Sequence, residues 1–412
     1  MEKKEKVQFG WKEFCLLFFS VLLVVLVLHF IDYVFSFPDD YYLIQGLHLI
    51  FPKGSNEEFV STDFRYRVSI NSIGIRDKEI SIPKDKDTYR ILVFGDSYTY
   101  GWGVNIEDTW VRRLGHKIKM EGKNVETVNL GKPGADPLFY YELAKVAIPI
   151  LEPDLILIAL LQGDDLLAVC GSEVKTTKDN IIFSVLNYLF PNISKSVRRY
   201  LMQKYIIEKM GRKPALINNA EKNQEAARNS AKEILLQFSE KERESFNTLD
   251  KEIRSAFLDG LINPFLISVA IKNPKVTITP LEESSSPMIT PCIEKLTQIL
   301  KEIAAMGKKT GAETVVVSIP QGFYVNQYAW ENMKRLHFEV SPEMLTTENV
   351  DKHFILSAER ASLPCFILTQ EFREQKDNPE LFFPIDGHPT PKGHQLISEI
   401  LSKKLQEWLK KH

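Results

Sequence analysis

The stretch LILIALL, residues 155–161, is apolar throughout and constrains the fold more than any other part of the sequence. A strand with one face in water alternates apolar and polar residues, so an uninterrupted apolar strand is expected where helices cover both faces of a sheet. Similar runs occur at 90–95 and 313–319, with helical periodicity between them. Strands that alternate with helices predict a parallel sheet with right-handed crossovers.

The alternation extends along two parts of the chain and predicts an α/β fold, a flavodoxin-like three-layer αβα sandwich around a five-stranded parallel sheet. The predicted strands are 90–95, 124–130, 155–161, 313–319 and 365–369. The predicted helices are 107–120, 138–149, 292–307, 348–361 and 392–410.

Composition and periodicity divide the chain into five segments. We expect a cytoplasmic N-terminus and membrane anchor at 1–37, a β-rich lead-in at 38–89, the first half of the sheet domain at 90–171, a helical insertion at 172–288 and the second half at 289–412. In the lead-in, FRYRVSINSIGIRD alternates around a predicted turn at Asn71-Ser72. An excursion as long as 172–288 is often a substrate cover.

The N-terminal apolar stretch is long enough to interact with a lipid bilayer through residues 15–35. Four lysines precede it (Lys3, Lys4, Lys6 and Lys12), whereas only Lys53 follows closely, so the N-terminus should remain in the cytoplasm and the rest should lie outside. A cleaved signal peptide would have a shorter apolar region and small residues at its exit, and a buried core helix would not explain the lysine asymmetry.

The net charge of −2 gives no global positive field, which argues against nucleic-acid binding. No metal-binding cluster or P-loop is apparent, and the glycines of GWG do not fit a Rossmann fingerprint, so we expect no cofactor or metal. Cys170 and Cys292 bracket the insertion; they are expected either to pair in an oxidising compartment or to stay as buried thiols.

Four short segments follow predicted strands or precede the last helix. They are GDSYTYG (95–101), NLGKPGADP (129–137), LQGDDLL (161–167) and FPIDGHPTPKGH (383–394). The carboxyl ends of parallel strands meet at one edge of a sheet, where open α/β folds bind ligands. The four segments should therefore converge there.

This set of motifs resembles the SGNH or GDSL hydrolases, an esterase superfamily of the same architecture. The resemblance covers 90–170 and 292–410 and is closest to membrane-anchored bacterial members with GDSxTxG and DGHxxPxGH motifs. SINSIGIRD before the sheet also resembles the lead-in of such proteins.

The resemblance implies that Ser97 is the nucleophile, His388 its base and Asp386 the acid that orients the histidine. The family more often places its acid three residues before the histidine, whereas only Gly387 intervenes here. A turn or N-cap role is the alternative for Asp386. His394, one turn into the last helix, is expected to pack or cap.

The family's oxyanion hole maps to the backbone N–H groups of Ser97 and Gly134 and to the side chain of Asp164. Gly131 is nearby and is expected to be a turn residue. The family has asparagine at the position of Asp164, and a carboxylate cannot donate a hydrogen bond. Burial near Asp96 and Asp165 would keep it protonated; otherwise the site is slow, or suited to a cationic or metal-assisted substrate. Asp96 and Asp165 are expected to brace their loops.

Three functions remain open at this point. The first is a membrane-anchored extracytoplasmic serine esterase that hydrolyses acyl esters, such as acetyl esters of a cell-surface polysaccharide. The second is O-acyl transfer by the same site, with a sugar hydroxyl as the acceptor. The third is a binding or assembly protein that keeps the fold with an impaired oxyanion hole. Asp164 favours this function or a slow enzyme, whereas Ser97 and His388 favour the first two.

Overall fold

The computed structural model describes residues 10–34, 48–170, 188–193 and 215–411. The chain forms two compact units. The first comprises Met1–Leu47 and Lys175–Gly211, and the second comprises His48–Val174 and Arg212–His412.

The described part of the first unit is dominated by one apolar helix, α1 (Trp11–Val34). It has 24 residues and a mean hydropathy of 3.0 over its most apolar window, so it is long and apolar enough to cross a membrane. A signal sequence can have the same length and composition. Near its end, Asp32 accepts hydrogen bonds from the backbone of Ile193 (2.8 Å) and the side chain of Asn192 (3.0 Å).

The second unit contains the predicted five-stranded sheet. Its strands are β3 (Thr88–Gly95), β4 (Asn124–Gly131), β5 (Leu155–Leu161), β7 (Glu313–Ile319) and β8 (Cys365–Ile367). All neighbours are parallel and the order is β4-β3-β5-β7-β8, which is the flavodoxin-like order. The predicted fold class is confirmed.

Two groups of helices cover the sheet, because its central strands are apolar on both faces. Helix α3 (Trp110–Lys117) packs against α14 (Pro391–Leu409), while α10 (Thr290–Lys309) packs against both α4 (Pro137–Leu151) and α12 (Asn349–Arg360). Every residue of β5 is buried, as its composition predicts.

Several boundaries differ from the prediction. Thr109 caps helix α3 and Ile118 is extended, so this helix is shorter than 107–120, and a 3₁₀ turn (Ile106–Asp108) precedes it. Strand β8 ends at Ile367, where its pairing with β7 ends. Four short helical segments between β7 and α14 were not predicted: 3₁₀ turns Gly322–Tyr324 and Pro342–Leu345, α11 (Gln327–Arg335) and α13 (Thr369–Arg373).

The lead-in forms a hairpin of β1 (Asn56–Val60) and β2 (Arg65–Ser69), which the two-residue strand β6 (Ile217–Asn218) joins beside β1. A turn follows Asn71 as expected, with the Gly74 N–H bonded to the Asn71 carbonyl, but the chain forms no further strand until β3 begins at Thr88. The prediction that two strands flank this turn is therefore wrong. Strand β2 pairs with β1, which lies before β2 in the chain, and not with a strand after the turn.

The second unit includes residues 215–288 of the predicted insertion, and the predicted part at 172–187 and 194–214 lies outside the described residues. The described part is mainly helical: α6 (Ala220–Gln237), α7 (Glu240–Thr248), α8 (Lys251–Leu258), α9 (Pro264–Lys272) and two 3₁₀ turns, Pro274–Thr277 and Thr279–Leu281. Cys170, after the short helix α5 (Asp165–Ala168), forms a disulfide with Cys292.

Candidate active site

Ser97 lies where strand β3 ends and a short helix, α2 (Ser97–Tyr100), begins. Asp96 caps this helix by accepting a hydrogen bond from the Tyr98 N–H (2.9 Å). The turn is tightly packed: a Cβ on Gly95 would lie 2.0 Å from the Thr99 hydroxyl. In the sequence GDS, Gly95 therefore permits close packing, Asp96 caps the helix, and Ser97 is the first residue of the helix.

The loop before helix α14 brings a histidine and an acid to this serine. The Nε2 of His388 is 2.8 Å from Ser97 Oγ, and its Nδ1 is 2.5 Å from Asp386 Oδ1. Gly387 has φ +81°, a left-handed conformation that glycine adopts without strain and that lets the acid fold back onto the histidine only two residues away. The three side chains are arranged as a Ser-His-Asp triad.

The electrostatics of His388 suit a base. Burial lowers the pKa of its imidazole, whereas the charge and hydrogen bond of Asp386 raise this pKa. The net shift is upward. The Asp386 hydrogen bond on Nδ1 leaves Nε2 to accept the proton of Ser97 when the ring is neutral. Tyr98 lies beside the imidazole and donates its hydroxyl to the carbonyl of Gly387 (3.1 Å).

Asp386 is braced by residues whose role the sequence does not reveal. The indole Nε1 of Trp102 donates to Asp386 Oδ2 (3.2 Å). Asp63, in the turn between β1 and β2, accepts hydrogen bonds from the backbone N–H groups of Ile385 and Asp386, both at 2.8 Å. The only sequence signals were the position of Trp102 in GWG and of Asp63 in a hairpin turn, and neither indicates a contact with the loop that carries Asp386.

Arg76, from the SINSIGIRD segment, fixes the loop that carries Trp102. Its buried guanidinium donates to the carbonyls of Tyr100 (2.9 Å), Gly101 (2.8 Å) and Val104 (2.6 Å). It also lies over the Tyr100 ring. The lead-in therefore supports the site from two directions, through Arg76 and Asp63.

Asp96 and Asp165 are buried acids that hold the loops around Ser97. Burial and the charge of Asp164 raise the pKa of Asp96 to about 7. Asp165 accepts hydrogen bonds from the Leu161 N–H (2.8 Å) and from the Tyr140 hydroxyl (3.1 Å). Burial is the largest cause, and its acidic neighbours the next, of a pKa well above the usual range of an aspartate. These contacts are those of bracing residues.

Asp164 stands at the N-terminus of helix α5 without a capping hydrogen bond from its side chain. The side chain is exposed to the cavity beside Ser97, and the surrounding protein partly desolvates it. This desolvation and the nearby Asp136 raise its pKa, while His388 lowers it. The carboxyl is therefore protonated over a wider pH range than an ordinary aspartate.

The two glycines after β4 differ in their surroundings. Gly131 ends the strand, and a Cβ there would lie 2.2 Å from the Tyr100 N, so this glycine permits close packing. Gly134 lies in the following turn with φ +69° and is exposed, with open space at its Cβ position. Its place in an oxyanion hole stays a prediction.

His394 is buried in helix α14, and its Nδ1 accepts a hydrogen bond from the Trp110 N–H (3.2 Å). Burial lowers the pKa of its imidazole to about 3, so the ring is neutral. It packs as expected.

A cavity of about 280 Å³ opens beside the triad, lined by Ser97, Asp164, Asp386 and His388. Its remaining walls are mostly apolar and come from the insertion and from the segment between β7 and α12. Among the described residues, no group of three or more His, Cys, Asp or Glu side chains is placed to hold a metal ion.

Comparisons with known proteins give structural neighbours only, since no protein-family model and no curated sequence matches the chain. A lipolytic protein of the G-D-S-L family from Veillonella parvula DSM 2008 is 12% identical, with a TM-score of 0.34, and the match covers 76% of this chain and 97% of that one. The psychrotrophic esterase EstA from Pseudoalteromonas sp. is 12% identical, with a TM-score of 0.36 and coverage of 78% and 98%.

An extracellular lipase from Streptomyces rimosus is 11% identical, with a TM-score of 0.33 and coverage of 76% and 99%.

Proposed function

We propose that this chain is a serine esterase of the SGNH/GDSL type. The proposal rests on two hydrogen bonds beside an open cavity. Ser97 Oγ is 2.8 Å from His388 Nε2, and His388 Nδ1 is 2.5 Å from Asp386 Oδ1. A serine, a base within hydrogen-bond reach and a third group that orients the base are together the signature of nucleophilic catalysis.

In the proposed reaction, Ser97 Oγ attacks the ester carbonyl carbon while His388 Nε2 takes the hydroxyl proton. The tetrahedral intermediate collapses, the bond to the alkoxy oxygen breaks, and His388 gives that proton to the departing alcohol. Water then attacks the acyl-enzyme while His388 Nε2 takes its proton, and the bond between Ser97 Oγ and the acyl carbon breaks as His388 returns that proton to Ser97 Oγ. The products are an alcohol, a carboxylic acid and free Ser97.

The proposed oxyanion hole uses the Ser97 N–H, the Gly134 N–H and a protonated Asp164. Burial and the nearby Asp136 raise the pKa of Asp164, which widens the pH range over which its carboxyl can donate. As the carboxyl ionises it loses its donor and adds a negative charge beside the developing oxyanion, so ionisation of Asp164 is expected to lower the rate, while His388 must be neutral to act as the base.

We further propose that the second unit lies outside the cytoplasm, tethered by helix α1. The lysines before the span and the near-absence of lysines after it support this orientation. The disulfide between Cys170 and Cys292 also supports an oxidising compartment. Protease added to intact cells should digest the second unit; protection there, with digestion only after lysis, would contradict this topology.

The proposed substrate is an acyl ester, with a cell-surface carbohydrate as a candidate for its alcohol part. The experiment that tests the activity uses the full-length protein in detergent with a fluorophosphonate probe and an aryl ester. We expect labelling and hydrolysis that Ser97→Ala abolishes and that His388→Ala lowers by at least about a thousandfold. Full activity in both variants would refute the proposal.

A second candidate is a binding or assembly protein, which Asp164 favours because an ionised carboxylate opposes an oxyanion. The same experiment separates the two functions. A folded protein with neither labelling nor hydrolysis between about pH 5 and 9 would favour the binding protein. If an added sugar alcohol captures the acyl group in place of water, the O-acyltransferase is favoured instead.

A further inference from the structure

The cavity beside Ser97 has an apolar wall that the triad itself does not need. Helix α9 and the 3₁₀ turn after it contribute Leu266, Val269 and Val276, and helix α11 and the residues after it contribute Met333 and Phe338. Most of this wall comes from the insertion and from a helix that the sequence did not predict, so it belongs to this chain rather than to the motifs around the triad.

Three uncharged polar side chains, Asn263, Thr277 and Gln321, also line this part of the cavity, and two of them are bonded within the protein. Asn263 accepts a hydrogen bond from the Phe265 N–H (3.0 Å) to cap helix α9, and the Thr277 hydroxyl donates to the carbonyl of Glu339. A sugar ring packed against the apolar wall would leave hydroxyl groups without partners, which is costly, whereas an alkyl chain needs none.

We infer that this cavity binds the acyl chain of the ester, and that the chain is aliphatic and longer than acetyl. The inference rests on the proposed esterase function. The acyl group stays attached to Ser97 until water attacks, whereas the alcohol must leave between the two steps. An apolar wall beside the serine therefore suits the part that remains, and the alcohol part is directed to the open side of the site.

The size of the cavity sets the length of the chain. At roughly 30 Å³ for each water-sized group, a volume of about 280 Å³ holds about nine such groups, so acyl chains of about six to ten carbons should fill it. Each methylene that moves from water into an apolar wall should raise kcat/KM about fourfold. An octanoyl ester should therefore exceed an acetyl ester by at least about a hundredfold, even when part of the chain stays in water.

The test uses the full-length protein in lipid nanodiscs with p-nitrophenyl esters of two, four, six, eight and twelve carbons. Val269→Trp and Leu266→Trp each place an indole on the apolar wall, at half-buried positions. Leu236→Trp makes the same exchange on exposed helix α6 of the insertion and is the matched control.

We expect kcat/KM to rise with chain length to about eight carbons. Each wall variant should lower the ratio of octanoyl to acetyl kcat/KM at least about tenfold, and Leu236→Trp should leave the whole profile as in the wild type. A second series fixes the acetyl group and lengthens the alcohol from two to eight carbons, and it should give a flat profile.

Three results would overturn the inference while leaving the esterase intact: a wild-type preference for acetyl, a profile without length dependence, or a length dependence that follows the alcohol. Because the wild-type series decides by itself, a wall variant that fails to fold does not remove the test. A protein that hydrolyses no ester and whose Ser97 is not labelled would instead overturn the proposed esterase function.

Discussion

Asp164→Asn tests the feature in which this site differs most from the esterases that it resembles. The substitution keeps the shape of the side chain, replaces a carboxyl by a permanent N–H donor and removes a negative charge that faces the cavity. We expect it to raise kcat/KM at pH 8, where wild-type Asp164 is more ionised than at lower pH.

The magnitude follows from the position of the side chain. One oxyanion donor is worth about 3–4 kcal/mol when it is enclosed by protein. Asp164 is exposed to an open cavity, so water competes with the interaction and a smaller gain is expected. We therefore expect an increase of about tenfold to thirtyfold, or about 1.4–2 kcal/mol in the barrier.

The pH dependence gives the mechanism. Desolvation and Asp136 raise the pKa of Asp164, so the protonated wild-type carboxyl can donate at low pH and the gain should be small there. The gain should grow as pH rises through this pKa and then level off. Loss of the negative charge at position 164 also lowers the pKa of His388, which should move the acid limb of the profile to lower pH.

Asp136→Asn is the matched control because it removes the same charge nearby without supplying a donor at position 164. Asn caps helix α4 as well as Asp does, so the helix should persist. The control should lower the pKa of Asp164 and so give no gain in kcat/KM. Full pH–rate profiles of the three proteins are the assay.

Lower activity of Asp164→Asn at every pH would refute the donor argument and would indicate that the carboxylate itself acts, for example by holding a cation or a cationic substrate. An equal gain in Asp136→Asn would show that charge alone limits the site.

Three further outcomes are expected. Asp386→Asn should lower kcat by about a thousandfold to ten-thousandfold and move the acid limb to lower pH, because the Asp386 charge raises the pKa of His388; an unmoved limb would contradict this. Asp63→Ala should lower kcat at least about tenfold at an unchanged unfolding midpoint, whereas Asp63→Asn keeps an oxygen acceptor and should retain most activity. Equal losses in the two variants would argue against a role for the hydrogen bonds that Asp63 accepts from Ile385 and Asp386. Reducing the Cys170–Cys292 disulfide, whose cysteines are 122 residues apart, should lower the free energy of unfolding by about 3–5 kcal/mol, measured by denaturation with and without reductant; Cys170→Ser should show no such difference.

The sequence by itself determined the sheet and the short motifs that carry the proposed triad. Strands such as 155–161 are recognisable because burial on both faces requires an apolar residue at each position. Ser97 and His388 lie within short motifs at strand and helix ends, and the topology of a parallel sheet brings such ends together. These features depend on local periodicity and on chain order, both of which can be read along the sequence.

Only the tertiary structure decided what supports the triad and what lies beside it. Asp63 bonds to Ile385 across 322 positions in the chain, and Trp102 bonds to Asp386 across 284. Val269 reaches the cavity from the insertion. An aspartate in a hairpin turn and a valine in an amphipathic helix each have ordinary local roles, so their sequence context does not distinguish them. Their part in the site arises from contacts between segments distant along the chain, and such contacts are fixed only when the whole core packs.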